Sequence, residues 1–179
     1  MIWFTSDTHL GHSNIIKHCN RPFTSLMEMD TTIIDNINSR VTESDTLYHL
    51  GDFCFQKRWA EKYRSRINCH NLILVMGNHD PANADGTPKA WFAKLFSRVY
   101  TLTYLNIQIN NKVQLVALSH YAMRTWRQSH YGSWNLYGHS HGTLSPAKNS
   151  LDVGVDCQNF CPININEVRT QIGENGDGY

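Results

Sequence analysis

Five short polar clusters hold most of the side chains that could do chemistry: Asp7-Thr8-His9, Gly51-Asp52, Gly77-Asn78-His79-Asp80, Ser119-His120 and Gly138-His139-Ser140-His141. Carboxylate and imidazole suit borderline divalent metals such as Mn, Fe, Zn or Ni better than Ca. The clusters offer more such groups than one ion with open positions can use. They suit two ions that share a bridging carboxylate. Two ions about 3.5–4 Å apart clamp the attacking and leaving oxygens of an in-line displacement at phosphorus. Asp7 and His9 are two residues apart, as are His139 and His141, so each pair points to one side of an extended loop. Gly51, Gly77 and Gly138 let the backbone turn sharply beside these residues. A lone D-x-H or H-x-H carries little weight; five clusters in this order carry much.

Each cluster follows an apolar run. Ile2 to Thr5 reads as a buried strand before Ser6-Asp7, and Thr46 to Leu50 as a second before Gly51-Asp52. Leu72 to Met76 is a third, Lys112 to Leu118 a fourth and Asn135 to Tyr137 a fifth. Ser25 to Glu28 forms a capping box, and Ile33, Ile34, Ile37 and Val41 follow at helical spacing, which predicts a helix to about Arg40. Trp59, Tyr63 and Ile67 mark one face of another helix, and Ala90 to Phe96 a short one. Pro81 to Pro88 reads as a loop. Val99 to Ile109 predicts a strand that pairs with Lys112 to Leu118 through an Asn110-Asn111 hairpin turn, and Leu151 to Val155 predicts one more. The sum is an α/β chain with two packed sheets and outer helices, whose strand ends gather a site on one edge. We expect a single domain over 1–172 and a polar tail from Gly173 to Tyr179.

The chain has 179 residues, 41% hydrophobic, with formal net charge +1 and ten histidines. That composition fits one globular domain. Without a basic run or stripe, stable binding to duplex nucleic acid is not expected. No apolar run is long enough for a membrane span, and the N-terminus lacks the features of a signal peptide. Five cysteines without a spacing pattern then read as reduced thiols, and the cytoplasm is the expected location.

The series D-x-H, G-D, G-N-H-D, S-H and G-H-S-H resembles the calcineurin-like metallophosphoesterase pattern from Asp7 to His141. More narrowly, the opening SDTHLGH, the segment HYGSWNLYGHSHG and the run D-V-G-V-D resemble the small single-domain members found in bacteria and their phages. The resemblance implies a four-layer αββα sandwich of two mixed β-sheets flanked by helices. It implies two divalent ions, Mn foremost. Asp7, His9, Asp52 and His141 would hold one and Asp52, Asn78, His120 and His139 the other, with Asp52 bridging. It further implies a metal-bridging hydroxide as nucleophile and His79 as the general acid. One departure stands out: protein phosphatases of this superfamily carry G-D-x-x-D-R-G, and Phe55 occupies the position of that second Asp. A Ser/Thr protein phosphatase is therefore not expected.

Other residues have plainer alternatives. His12 follows Gly11 in the first loop and is a candidate substrate contact, as is Asn78. Arg124, four residues past His120, is a candidate phosphate clamp, against the alternative of a solvent-facing cation. Arg21 offers another approach to the site. Trp126 and Trp134 read first as packing residues, and His18, His49 and His70 as surface or core histidines. The expected activity is hydrolysis of a small phosphoester (a nucleotide, a cyclic phosphate or a nucleic-acid end), with phosphodiesterase ahead of phosphomonoesterase. A non-catalytic binding module of the same fold is the reading from another class.

Overall fold

The computed structural model describes residues 1–55 and 57–176. In chain order the elements are β1 (Ile2–Thr5), α1 (Ser13–His18), α2 (Leu26–Arg40), β2 (Thr46–His49), α3 (Ala60–Ser65), β3 (Asn71–Val75), α4 (Ala90–Ala93), β4 (Arg98–Tyr100), β5 (Leu102–Ile109), β6 (Lys112–Ser119), β7 (Trp134–Tyr137), β8 (Ser150–Asp152), β9 (Ile163–Asn164) and α5 (Ile165–Gly176). One sheet runs β4-β3-β2-β1-β9 and the other β5-β6-β7-β8. In the first, β1 to β4 are parallel and β9 is antiparallel; in the second, β5 is antiparallel to a parallel β6-β7-β8 run. Both sheets are therefore mixed and carry flanking helices, the α/β architecture that the sequence implies.

The apolar runs explain the layers. Phe4, Leu50, Val75, Val116, Leu118, Leu136 and Leu151 form a core with Val168 and Ile172 of α5. The opposite face of the first sheet buries Trp3, Leu47, Leu72 and Leu74 against Ile33, Ile34 and Ile37 of α2 and Phe92 of α4. Each such side chain, fully buried, is worth about 1.5–3 kcal/mol. The α2 start is capped as expected: Ser25 Oγ accepts from Glu28 N at 3.2 Å, while the Glu28 carboxylate reaches back to Thr24 N at 2.7 Å. Asn110 and Asn111 both adopt positive φ (48° and 62°), as the two-residue hairpin between β5 and β6 demands.

Several boundaries differ from expectation. The strand expected over Val99 to Ile109 is two strands, because β4 pairs with β3 in one sheet and β5 with β6 in the other. Trp59 and Ile67 flank α3 rather than line it. The run expected as a strand to Val155 stops at Asp152 and then turns through a 3₁₀ segment, Val155–Cys157. The expected tail overlaps α5, which runs to Gly176; residues 177–179 lie outside the described residues. Among the described residues no helix is long and apolar enough to cross a membrane.

What matters for the site is that β1, β2, β3, β6 and β7 all present their C-terminal ends to one edge. Main-chain bonds stitch the loops there: Asp7 N donates to Gly51 O (3.0 Å), His9 N to Asp52 O (3.0 Å), Gly138 N to His120 O (2.9 Å) and Val155 N to Ser6 O (3.0 Å).

Candidate metal centre

The backbone is unusual where the clusters lie. Asp7 (φ 55°), His9 (47°), Asp52 (56°), His139 (67°) and His141 (47°) are all left-handed without being glycine. Such conformations cost about 1–3 kcal/mol each and persist where surrounding structure enforces them, commonly at functional sites. The glycines allow the loops to close on one another. A methyl group at Gly77 would sit 2.2 Å from Asp52 Oδ1, and one at Gly138 would sit 2.3 Å from Asp7 Oδ2.

The side chains converge in two groups. Asp7, His9 and His141 bring ligand atoms within 4.8 Å of one another, and Asp52, His120 and His139 do the same. Asp52 Oδ2 lies between the groups, 3.5 Å from His9 Nε2 and 3.6 Å from His120 Nε2. Hydrogen bonds fix the acceptors. Asp7 Oδ2 accepts from His139 N and Asp52 Oδ1 from His79 N, both at 2.8 Å. His120 Nδ1 faces Leu50 O at 2.8 Å; a carbonyl only accepts, so the proton is on Nδ1. His120 Nε2 then aims a lone pair at Asn78 Oδ1, 3.0 Å away. A cation placed there would take both the Nε2 lone pair and the Asn78 carbonyl oxygen as ligands.

Burial makes the same point. Asp7 Oδ1 and both ring nitrogens of His9 are buried with no hydrogen-bond partner, a costly condition unless something binds there. Burial, reinforced by the Asp52 charge, pushes the Asp7 carboxyl up to about 7. Burial, then the Arg21 and His141 charges, pushes His9 down to about 2, which keeps its ring neutral and its lone pair available. For His141 burial acts downward, but the Asp156 hydrogen bond and the Asp7 charge outweigh it and the net shift is upward. A divalent cation would reverse the cost of the buried carboxylates and take the orphaned nitrogens as ligands. The residues present fit such ions.

Supporting residues surround the groups. Asp80 accepts from Asp52 N, Phe53 N and Gly77 N and so ties two clusters together. Thr8 Oγ1 donates to Phe53 O and accepts from His49 Nε2, so the buried His49 props the loop between Asp7 and His9. Asp156 Oδ2 accepts from His141 Nδ1 at 2.7 Å, and Arg21 holds that carboxylate with a two-toothed fork. Neither the Asp156 role nor the Arg21 fork follows from the sequence reading. Asp156 did carry a signal, since it is another polar residue just past a strand.

His79 is exposed beside the two groups, its ring 5.5 Å from that of His9 and 5.8 Å from that of Phe55. Phe55 thus sets an apolar ring beside His79. Its other neighbour is His12, stacked at 4.0 Å and 10°. The His12 ring is also 5.5 Å from that of His9, and burial, then the His79 charge, lowers its pKa. Arg124 is exposed between β6 and β7, and no hydrogen bond among the described residues ties it to the site. Trp134 is buried, and Trp126 donates to Ser133 O at 3.1 Å, so both pack.

Residues 1–153 match the model of the calcineurin-like phosphoesterase family. The chain belongs to that family. Members use divalent metal ions to hydrolyse phosphoesters, which agrees with the two ligand groups. An uncharacterized protein of Methanocaldococcus jannaschii is 30% identical, over 92% of this chain and 86% of its own length. The gene 66 protein of Mycobacterium phage L5 is 25% identical over 86% of each chain. A crystal structure of an Aquifex aeolicus protein of unknown function superposes with a TM-score of 0.68 at 25% identity, covering 96% of this chain and 99% of that one.

Proposed function

We propose that this calcineurin-like phosphoesterase is a two-ion phosphodiesterase acting on a small phosphoester such as a nucleotide, a cyclic phosphate or a nucleic-acid end. The observation that carries the proposal is the place of Asp52 Oδ2 between His9 and His120, one residue from each ligand group. Asp7, His9, Asp52 and His141 would hold one ion, and Asp52, Asn78, His120 and His139 the other, with manganese the first choice. When bound, such ions lower the pKa of water, neutralise phosphoryl charge and align in-line attack.

The protein's own residues do the rest. His79 stands exposed beside the groups and protonates the leaving oxygen. Its ring stands beside those of Phe55 and His9, while its backbone N–H donates to Asp52 Oδ1. Asn78 and His12 flank the phosphoryl group. Arg124 supplies a cation from the β6–β7 segment, where the neighbouring Arg127 instead covers the Tyr104 ring at 6.0 Å. The buried guanidinium near the ligands, Arg21, already donates to Asp156 and to the Asp7 and Thr8 carbonyls, which leaves Arg124 as the proposed phosphate cation.

The test is turnover of bis-p-nitrophenyl phosphate against p-nitrophenyl phosphate with added Mn²⁺. The diester is expected to show at least a tenfold higher kcat/KM. The opposite order would make the protein a phosphomonoesterase, and turnover of neither would favour a binding module.

A further inference from the structure

We propose that Arg21 and Asp156 are a positioning pair that locks His141 and the Asp7 loop into one unit of the metal centre. The inference rests on the two-ion reading above and adds residues that reading does not use. Asp156 lies in the 3₁₀ turn Val155–Cys157, which Val155 N ties back to Ser6 O. Its Oδ2 accepts from His141 Nδ1 at 2.7 Å. A carboxylate beside Nδ1–H selects the tautomer whose Nε2 lone pair is free, and it fixes the ring plane.

Arg21 completes the unit. Its side chain has no exposed surface. Nε and Nη2 donate to the two Asp156 oxygens, both at 2.8 Å. Nη2 also donates to Asp7 O at 2.7 Å, and Nη1 donates to Thr8 O at 3.2 Å and to Met29 Sδ at 3.4 Å. A guanidinium has five N–H donors, and all five are used here. No donor is left for a phosphate, so Arg21 is not a substrate clamp.

The geometry also excludes a third ion on Cys19, His141 and Asp156, although their ligand atoms lie within 4.8 Å. Both Asp156 oxygens already face the guanidinium, and its charge would repel a cation there. What remains is a brace between two ligands of the same ion. Asp7 and His141 both hold left-handed backbone angles, and a single buried guanidinium reaches one through its carbonyl and the other through Asp156. The effect should therefore be selective for one of the two ions.

The experiment is calorimetric titration of metal-free protein with Mn²⁺, with Co²⁺ visible absorption as an independent readout of each site's geometry. Asp156→Asn should weaken one ion about 10–100-fold, as loss of a ligand's supporting partner typically does, and leave the other within twofold. Arg21→Lys, which keeps the charge and loses the fork, should weaken the same ion. In a His141→Gln background, Asp156→Asn should cause no further loss, because the path through His141 is already gone. If the wild-type protein takes up fewer than two ions, the two-ion reading fails. If it takes up two and Asp156→Asn leaves both affinities unchanged, or lowers both equally, the positioning role is overturned. Should Asp156→Asn not fold, the same outcomes are read from Arg21→Lys.

Discussion

Gly77→Ala is a small change with a large expected effect on the metal centre. The added methyl would lie 2.2 Å from Asp52 Oδ1 and 2.5 Å from the Asp52 backbone N. A side-chain end could swing away, but a backbone nitrogen cannot do so cheaply. Ordinary contacts begin above 3 Å, so the Asp52 carboxylate has to retreat by about 1 Å, a displacement that costs about 10²-fold in rate when it reaches reacting groups. Asp52 faces both ligand groups at 3.5 and 3.6 Å, so both lose their shared acceptor. Overpacking of this kind typically destabilises by about 1–3 kcal/mol. Gly173→Ala is the control: Gly173 lies in α5 with nothing within 4 Å of the added methyl, and should gain about 0.5–1 kcal/mol of stability with no effect on activity. Urea unfolding, Mn²⁺ titration and diester turnover on both variants provide the measurements. Wild-type turnover and wild-type affinity for both ions in Gly77→Ala would refute the argument.

Other outcomes follow from single residues. His79→Asn should keep both metals and lose about 10²–10⁴-fold on an alkyl phosphoester. It should lose clearly less on a p-nitrophenyl ester, whose leaving group needs little protonation; equal losses with lost metal would make His79 a support instead. Arg124→Ala should leave metal content and stability intact and raise KM, and unchanged kinetics would return it to the solvent-facing reading. The third outcome concerns pH. Burial, then the His120 charge, holds His49 down to about 3, against 6.5 when unfolded. As pH falls from 6.5 toward 3, the unfolded chain takes up a proton that the folded chain refuses, so stability drops. Unfolding free energy of metal-free protein should fall more steeply below pH 6 than that of His49→Gln, by about 1.4 kcal/mol per pH unit. Equal slopes would mean that His49 binds its proton as readily in the folded state as in the unfolded one.

The site was more legible in the sequence than its supports were. The five clusters follow apolar runs because parallel strands end together, and this local pattern survives in one dimension. The hairpin at Asn110-Asn111 and the Ser25 cap are equally local. The Arg21–Asp156 contact, by contrast, joins residues 135 positions apart, and no short-range spacing encodes it. Helix α1 has only six residues, too few for a period to show. The split of β4 from β5 depends on partners in different sheets. Helix α5 did carry a signal, with Ile165, Val168 and Ile172 at helical spacing. Asn164 also caps it, Oδ1 accepting from Glu167 N while the Glu167 carboxylate accepts from Asn164 N. The expected tail, 173–179, overlaps only the last turn of α5, and the sequence reading assigns no element to residues 165–172.

Asp52 would be the carboxylate that joins the two ligand groups into one centre, since its Oδ2 lies 3.5 Å from His9 Nε2 and 3.6 Å from His120 Nε2. The decisive measurement is bound Mn²⁺ per chain, by metal analysis after equilibrium dialysis, for the wild-type protein and Asp52→Ala. Two ions are expected in the wild type and loss of both in the folded variant, since a bridging carboxylate would serve each ion. A saturated stoichiometry of one in the wild type, or retention of both ions by Asp52→Ala, would contradict the bridged two-ion centre.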